Sequence, residues 1–176
     1  SNGRFILGTG TGWQPEESAA LGGDFPRRWA QTVESLTIMH KLWTEDEPAH
    51  AGSYYQFPPL RFHPKPVQTP RPPILLGGTS PRVFQRAAMY ADGWAPWMID
   101  PEGLATGREQ LLEAFARAGR DPATAEVTVF TRGPADNLIA RYEVAGADRL
   151  VFTMRSTPDA DPFGRLARLA QEVGRS

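Results

Sequence analysis

Short apolar segments alternate with longer amphipathic segments along most of the 176-residue chain. The apolar segments predict five strands, at residues 3–10, 74–78, 92–97, 126–132 and 149–154. The amphipathic segments predict five helices, at residues 27–43, 80–91, 103–118, 135–145 and 162–173. Strict alternation of strand and helix is typical of a parallel α/β fold, in which each helix connects two neighbouring strands.

Chain length leaves two architectures open. A complete (β/α)8 barrel takes about 250 residues, whereas this chain offers five strand–helix units in 176 residues. An open doubly wound sheet and part of a barrel both accommodate five units. Periodicity alone does not distinguish between them.

Composition excludes several classes of function. A net charge of −1 and scattered arginines favour neither nucleic acid nor a membrane surface as a partner. The absence of cysteine excludes disulfides and thiolate metal sites and fits a cytoplasmic protein. The three histidines, His40, His50 and His63, fit no metal-binding spacing, so no metal site is expected.

The segment ILLGGTSP, residues 74–81, joins a predicted buried strand to a helix through two glycines. We expect Ser80 to cap this helix and Pro81 to occupy its first position. Glycines such as Gly77 and Gly78 let a ligand approach the backbone, and a helix N-terminus attracts anions. Gly77, Gly78, Thr79 and Ser80 therefore form a candidate phosphate site. Plain helix capping explains the same residues equally well.

A second glycine-rich segment, GTGTGW at residues 8–13, follows the first predicted strand. It lacks the third glycine of the dinucleotide-binding fingerprint, so it indicates either a ligand contact at Gly10 and Thr11 or a tight turn. Aromatic residues such as Trp97 are more often packing residues than ligand contacts. No catalytic residues stand out, which indicates that a cofactor carries any chemistry.

A proline-rich and aromatic segment at residues 45–72 interrupts the alternation. It is longer than an ordinary connection, and we expect an irregular loop that packs over the sheet. It ends in the sequence KPVQTPRPPI, which leads directly into the strand at 74–78.

Several stretches together resemble the luciferase-like monooxygenases, which use FMN or coenzyme F420 on a TIM-barrel scaffold. The matching stretches are GRFILGTGTGW (3–13), KPVQTPRPPILLGGTSP (65–81), YADGW (90–94) and AGADRLVF (145–152). The resemblance implies a (β/α)8 barrel of which only the last five βα units are present, so that residues 1–176 form a single partial barrel domain. It implies that the chain begins at the fourth strand, in agreement with its first residue being Ser1 rather than methionine.

The resemblance also implies a site. The family's cofactor phosphate contacts fall on Thr11, Gly78, Thr79 and Ser80, with Gly10 and Gly77 beside them. A further contact on the helix that follows the first strand falls on Trp29, which is preceded by Arg28. Trp97 lies where some members touch the cofactor.

The implied activity is that of an F420-dependent oxidoreductase, with FMN as the alternative cofactor, transferring hydride between the cofactor and a small organic substrate. A different hypothesis is a truncated, non-catalytic remnant that acts as a folded or oligomerising module. Either way a partial barrel would expose strand edges, so we expect a homo-oligomer or a missing N-terminal barrel half as partner. An unrelated phosphate-binding α/β domain is a third alternative.

Overall fold

A computed structural model of the chain describes residues 1–133, 137–154 and 161–174. It forms two compact units, Ser1–Ile74 and Leu75–Ser176. Each unit is described by itself below. Among the described residues, no helix is long and apolar enough to cross a bilayer.

The first unit contains one long helix, one short helix and three short strands. Its elements are β1 (Leu7–Thr9), α1 (Pro15–Ala20), a 3-10 turn (Phe25–Arg27), α2 (Arg28–Thr44), β2 (His50–Ala51) and β3 (Gln56–Phe57). The N–H of Leu7 donates to the carbonyl of Pro73 at 2.8 Å, so β1 runs beside the residue that precedes β4 (Ile74–Gly77).

Helix α2 lies within one residue of its predicted bounds. Leu36, in the middle of the predicted apolar stripe, is buried, and Trp29 and Val33 on the same stripe are half-buried. The 3.6-residue period of apolar side chains therefore identified the helix and the face that it buries.

The predicted irregular loop at residues 45–72 contains a hairpin. Strands β2 and β3 pair antiparallel, with His50 opposite Phe57 and Ala51 opposite Gln56. The N–H of Gly52 donates to the carbonyl of Tyr55 at 2.9 Å and closes the connection. The hairpin was missed because strands of two residues are too short to show alternation of apolar and polar side chains.

The second unit is a parallel α/β layer with strand order β4-β5-β6-β7. Its further elements are α3 (Val83–Tyr90), β5 (Gly93–Ala95), α4 (Pro101–Arg117), a 3-10 turn (Pro122–Thr124), β6 (Glu126–Arg132), α5 (Leu138–Val144), β7 (Arg149–Thr153) and α6 (Pro162–Val173). The register pairs Leu76 with Trp94 and Trp94 with Val127. The parallel α/β class predicted from the alternation is confirmed.

The core of the second unit lies between this sheet and its helices. Trp94 is buried, with Leu104, Leu111 and Phe115 of α4. A Cβ at Gly107 would lie 2.5 Å from the Trp94 ring, so the indole occupies space that only glycine on α4 leaves free. At Gly93 a Cβ would meet the Glu126 carbonyl oxygen, which explains why glycine stands where β5 approaches β6.

Several predicted details were wrong. Ser80 does not cap α3: the helix begins at Val83, its N-cap residue is Arg82, and the Val83 N–H donates to the Ser80 carbonyl at 2.9 Å. This i−3 bond makes a turn of the three preceding residues, so Pro81 precedes the helix. Ala118 was expected to face inward but is exposed, because it lies at the C-terminal end of α4.

Two further differences concern the ends and number of helices. Helix α1 was not predicted, because its sequence, PEESAA, has no apolar stripe. The predicted helix at 135–145 is observed from Leu138, and residues 135 and 136 lie outside the described residues. By contrast, β6 and α6 have the bounds that the sequence predicts.

Candidate functional site

A polar cavity of about 260 Å³ lies within the first unit. It is lined by Thr9, Thr11, Ser18, Arg28, Gln31, Thr32, Ser35, Leu36, Met39 and Tyr55. Drug-sized ligands occupy pockets of about 300–1,000 Å³, so this cavity takes a group such as phosphate rather than a whole flavin. Its lining contains one cation, several hydroxyl groups and no carboxylate, which is the chemistry of an anion site.

Arg28 supplies the positive charge of this cavity. Its Nη1 donates to the Phe25 carbonyl at 2.8 Å, and its guanidinium carbon lies 3.9 Å from the centre of the Phe25 ring. The buried Nε has no hydrogen-bond partner among the described residues. Buried N–H donors are almost always paired, so this one indicates a missing acceptor. An anion in the cavity would supply that acceptor and would be paired with the guanidinium charge.

The hydroxyl groups of the cavity fall into two sets. Thr32 and Ser35 donate to the carbonyls of Arg28 and Gln31 one turn earlier, which leaves their oxygens as acceptors. Thr9, Thr11 and Ser18 make no side-chain hydrogen bond to any other residue in the described part of the chain. These three hydroxyls are therefore the donors that complement Arg28 around an anion.

Of the three site residues predicted in the first unit, one lines the cavity and two do not. Thr11 lines the cavity, and Gly10, exposed, precedes it after the end of β1. Trp29 is half-buried and is not among the lining residues. Arg28 lines the cavity but was not predicted as a contact. The available signal was the helical spacing of Arg28 with Thr32 and Ser35, which places polar side chains along one side of α2.

In the second unit, the predicted phosphate residues follow the buried strand β4. Gly77 ends the strand opposite Ala95, and Gly78 has a φ of +114°, which L side chains rarely adopt. The Gly78 carbonyl accepts a hydrogen bond from the Trp94 indole N–H at 2.8 Å. Thr79 and Ser80 are exposed, and neither side chain bonds another residue within the described ranges. The turn therefore presents glycine backbone and two hydroxyls at the carboxyl end of a parallel strand, where α/β folds bind ligands.

Trp97 lies just beyond β5 and is 60% exposed. Its ring stacks on Phe130 of β6, with centroids 6.1 Å apart and planes inclined by 30°. Met98 follows with a φ of +53°, an uncommon conformation for a residue other than glycine, and its N–H donates to the Phe130 carbonyl at 2.8 Å. The indole is thus an exposed flat surface supported from behind, against which a planar ring can stack. No sequence signal pointed to Met98 or Phe130.

A metal has no comparable site in the part of the chain that the structure describes. No three His, Asp or Glu side chains there are arranged to hold a metal ion.

Solved structures share this fold. An F420-dependent secondary alcohol dehydrogenase, solved with an F420–acetone adduct, superposes with a TM-score of 0.69 at 18% identity, over 85% of this chain and 64% of that one. The monooxygenase RslO1 from Streptomyces bottropensis has a TM-score of 0.65 at 23% identity, over 83% of this chain and 46% of that one. These likenesses confirm the predicted α/β fold class of the TIM-barrel type.

Curated relatives are similar in sequence. An uncharacterized protein of Mycobacterium tuberculosis is 30% identical over 174 residues, 98% of this chain and 61% of its own length. An F420-dependent hydroxymycolic acid dehydrogenase of the same species is 31% identical over 69% of this chain and 34% of its own length. A pyrimidine monooxygenase, RutA, of Methylorubrum extorquens is 31% identical over 86% of this chain and 44% of its own length. The chain thus spans between 34% and 61% of the length of these relatives.

The comparison with protein families also matches nearly the whole chain. The sequence model of the family described as luciferase-like monooxygenase matches residues 1–172. This match covers both compact units, and it includes Arg28 with its cavity and the glycine turn after β4. The chain belongs to the luciferase-like monooxygenase family.

Proposed function

We propose that this chain binds the phosphate-bearing part of coenzyme F420, with FMN as the alternative, for an oxidoreductase that transfers hydride between the cofactor and a small organic substrate. Family membership supports an oxidoreductase or monooxygenase activity. The F420-dependent dehydrogenase and the pyrimidine monooxygenase among the relatives support a flavin or deazaflavin cofactor. Because the chain spans only 34% and 44% of the length of those two relatives, the activity of a whole enzyme is part of this proposal.

The unpaired buried Nε of Arg28 carries this proposal. A cofactor phosphate beside Arg28 would accept from this donor, and the hydroxyls of Thr9, Thr11 and Ser18 would donate to its other oxygens. The cavity volume of about 260 Å³ fits a phosphate and leaves the ring system outside. The residues present therefore fit the phosphate of either cofactor.

When bound, either cofactor supplies the two-electron hydride chemistry, and the residues of the chain supply position. Hydride transfer requires that donor and acceptor carbons be held close, in the right orientation and shielded from water. In the first unit, Arg28, fixed by the Phe25 carbonyl and ring, would hold the phosphate. The exposed face of Trp97, supported by Phe130, offers a surface for a planar group.

Replacing Arg28 by methionine tests the proposal. We expect the dissociation constant of the preferred cofactor, measured by fluorescence titration with F420 and separately with FMN, to rise about tenfold or more, because the charge-assisted hydrogen bond is lost. Arg27→Met is the matched control: it removes the same charge from the adjacent residue, whose side chain is 74% exposed and pairs with Asp24 at 3.7 Å. The control should change affinity by about twofold at most.

Two results would contradict the proposal. One is equal weakening by both substitutions, which would mean that only net charge matters. The other is failure of the unaltered chain to bind either cofactor, which would favour the alternative of a non-catalytic module.

A further inference from the structure

We infer that the β2–β3 hairpin carries an additional anion-binding residue, Tyr55, and that Glu34 of α2 is the positioning residue that holds it over the cavity. The inference rests on the proposed function, since the anion is the cofactor phosphate held beside Arg28. It concerns only residues of the first unit. It assigns a binding role to the segment at 45–72 that the sequence predicts as an irregular loop.

Tyr55 has the position and the free proton that this role requires. Its side chain lines the cavity and is 38% exposed. Its phenolic oxygen accepts a hydrogen bond from Gln31 Nε2 at 3.0 Å. The phenol therefore keeps its own O–H for donation, and a phosphate oxygen in the cavity is a suitable acceptor.

Glu34 fastens the hairpin connection to α2. Its carboxylate accepts the backbone N–H groups of Ser53 at 3.0 Å, Tyr54 at 3.1 Å and Tyr55 at 2.8 Å. His50 Nε2 lies 3.1 Å from the same carboxylate, and the side chains of both residues are mostly buried. Three successive backbone N–H groups of the hairpin connection thus donate to one carboxylate, which belongs to α2. Charged acceptors make hydrogen bonds about twice as strong as neutral ones.

The space around Glu34 shows that this contact is built into the hairpin. A Cβ at position 52 would lie 2.2 Å from Glu34 Oε1, so Gly52 allows the carboxylate to reach the turn. Any side chain there would displace the carboxylate from its three donors. Glycine at this position therefore leaves room for the Glu34 carboxylate to reach its three donors.

Helix α2 holds Tyr55 at two points. Glu34 binds its backbone N–H, and Gln31, one turn earlier on the same face of the helix, binds its hydroxyl. Arg28, a further three residues back, lines the same cavity. One helix face therefore provides the cation for the anion and also fixes the residue that contacts the anion from the hairpin.

Tyr55→Phe removes the phenolic O–H without changing the ring. Using residues 1–176 and fluorescence titration with F420 and with FMN, we expect the dissociation constant of the preferred cofactor to rise about tenfold. Tyr54→Phe is the matched control, since its side chain is not among those that line the cavity. It should leave affinity within about twofold of the unaltered chain.

A double-substitution cycle tests the role of Glu34. Introduced alone, Glu34→Gln should raise the dissociation constant of the cofactor. Introduced together with Tyr55→Phe, it should raise that constant little beyond the value for Tyr55→Phe alone, because Glu34 acts through Tyr55. Glu47→Gln, which removes a carboxylate paired with Arg61 in the same unit, is the control and should have no effect in either background. A general loss of structure would instead weaken both backgrounds equally. If Glu34→Gln does not fold, as judged by circular dichroism, the Tyr55→Phe result decides alone.

The outcomes separate this inference from the proposed function. Unchanged affinity in Tyr55→Phe together with weak binding in Arg28→Met would overturn the role of Tyr55 and leave the phosphate site intact. Additive effects of Glu34→Gln and Tyr55→Phe would overturn the positioning role of Glu34. Unchanged affinity in Arg28→Met would overturn the proposed function itself.

Discussion

Two adjacent arginines of the first unit show how local environment decides the role of a residue. Arg27 is exposed and pairs loosely with Asp24, whereas Arg28 packs against Phe25 and has one buried donor without a partner in the described part of the chain. An exposed guanidinium exchanges freely with water, so its ion pair contributes little. The Nε of Arg28 is buried and has no partner among the described residues, so it is a donor that the proposed phosphate would satisfy.

Substitutions at Gly78 and Ser80 test the predicted phosphate site of the second unit. We predict that the double substitution Gly78→Val and Ser80→Ala abolishes cofactor binding, because valine is strained at a φ of +114° and a hydroxyl is lost. Circular dichroism should show unchanged helix content, since Ser80 does not cap α3. Gly119→Val, at another positive-φ glycine after α4, controls for strain alone and should leave affinity unchanged. Unchanged affinity in the double variant would remove these residues from the phosphate site.

At the scale of elements, α2 is the organising helix of the first unit. Its apolar side chains bury Leu36, and its polar side chains supply both the cavity and the contacts with the hairpin. A helix that combines these tasks couples the position of the hairpin to the integrity of the site. Loosening the hairpin should therefore affect binding before it affects the fold.

Acid should loosen this hairpin. Burial raises the pKa of the Glu34 carboxyl, but the N–H groups of Tyr55, Tyr54 and Ser53 and the side chain of His50 together outweigh it and hold the pKa below its usual 4.5. A carboxyl with a depressed pKa stabilises the fold above its unfolded-state pKa, and this contribution is lost as pH falls through the lower folded-state value.

Hydrogen exchange measures this effect. Protection of the Ser53, Tyr54 and Tyr55 amides, corrected for intrinsic rates, should fall as pH drops below about 4.5 in the unaltered chain. In Glu34→Gln the protection should already be low and should not change over that range. Protection that stays constant in the unaltered chain would show that the carboxylate does not hold the hairpin.

Elements with a strong period were predictable from sequence, and elements without one were not. Helix α6 shows a clear helical stripe, strand β6 is a run of β-branched and aromatic residues, and both have the predicted bounds. The hairpin, with two residues in each strand, carries no period, and the start of α3 depends on the i−3 bond between Val83 and Ser80. The hairpin connection is fixed by the long-range contact with Glu34, which local sequence does not encode. The start of α3 is set by a local turn, and helix ends are uncertain by one or two residues when only the apolar period is used.

The residues of the candidate site could be predicted from the sequence only in part. The resemblance to the family pointed to Thr11, which lines the cavity, and to Trp29 rather than its neighbour Arg28, which also lines it. Helical rotation of 100° per residue separates adjacent positions, so a shift of one residue selects a different face of α2. The contribution of Tyr55 depends on a hairpin connection fixed by Glu34, a contact across 21 residues of sequence.

At the scale of the whole molecule, the chain spans 61% of the length of relatives that match nearly all of it. The resemblance predicts that Thr11 in the first unit and Gly78, Thr79 and Ser80 in the second contribute to one cofactor site. The structure adds Arg28, which lines the cavity of the first unit together with Thr11. The central claim is that the phosphate of the cofactor lies against Arg28.

The position of the cofactor phosphorus, in a crystal structure of residues 1–176 with F420 or FMN, tests this claim most directly. We predict a phosphate oxygen at about 2.7–3.2 Å from Arg28 Nε, with the Thr11 hydroxyl donating to the same group. A bound cofactor whose phosphate lies elsewhere, with Arg28 Nε still unpaired, would contradict the account.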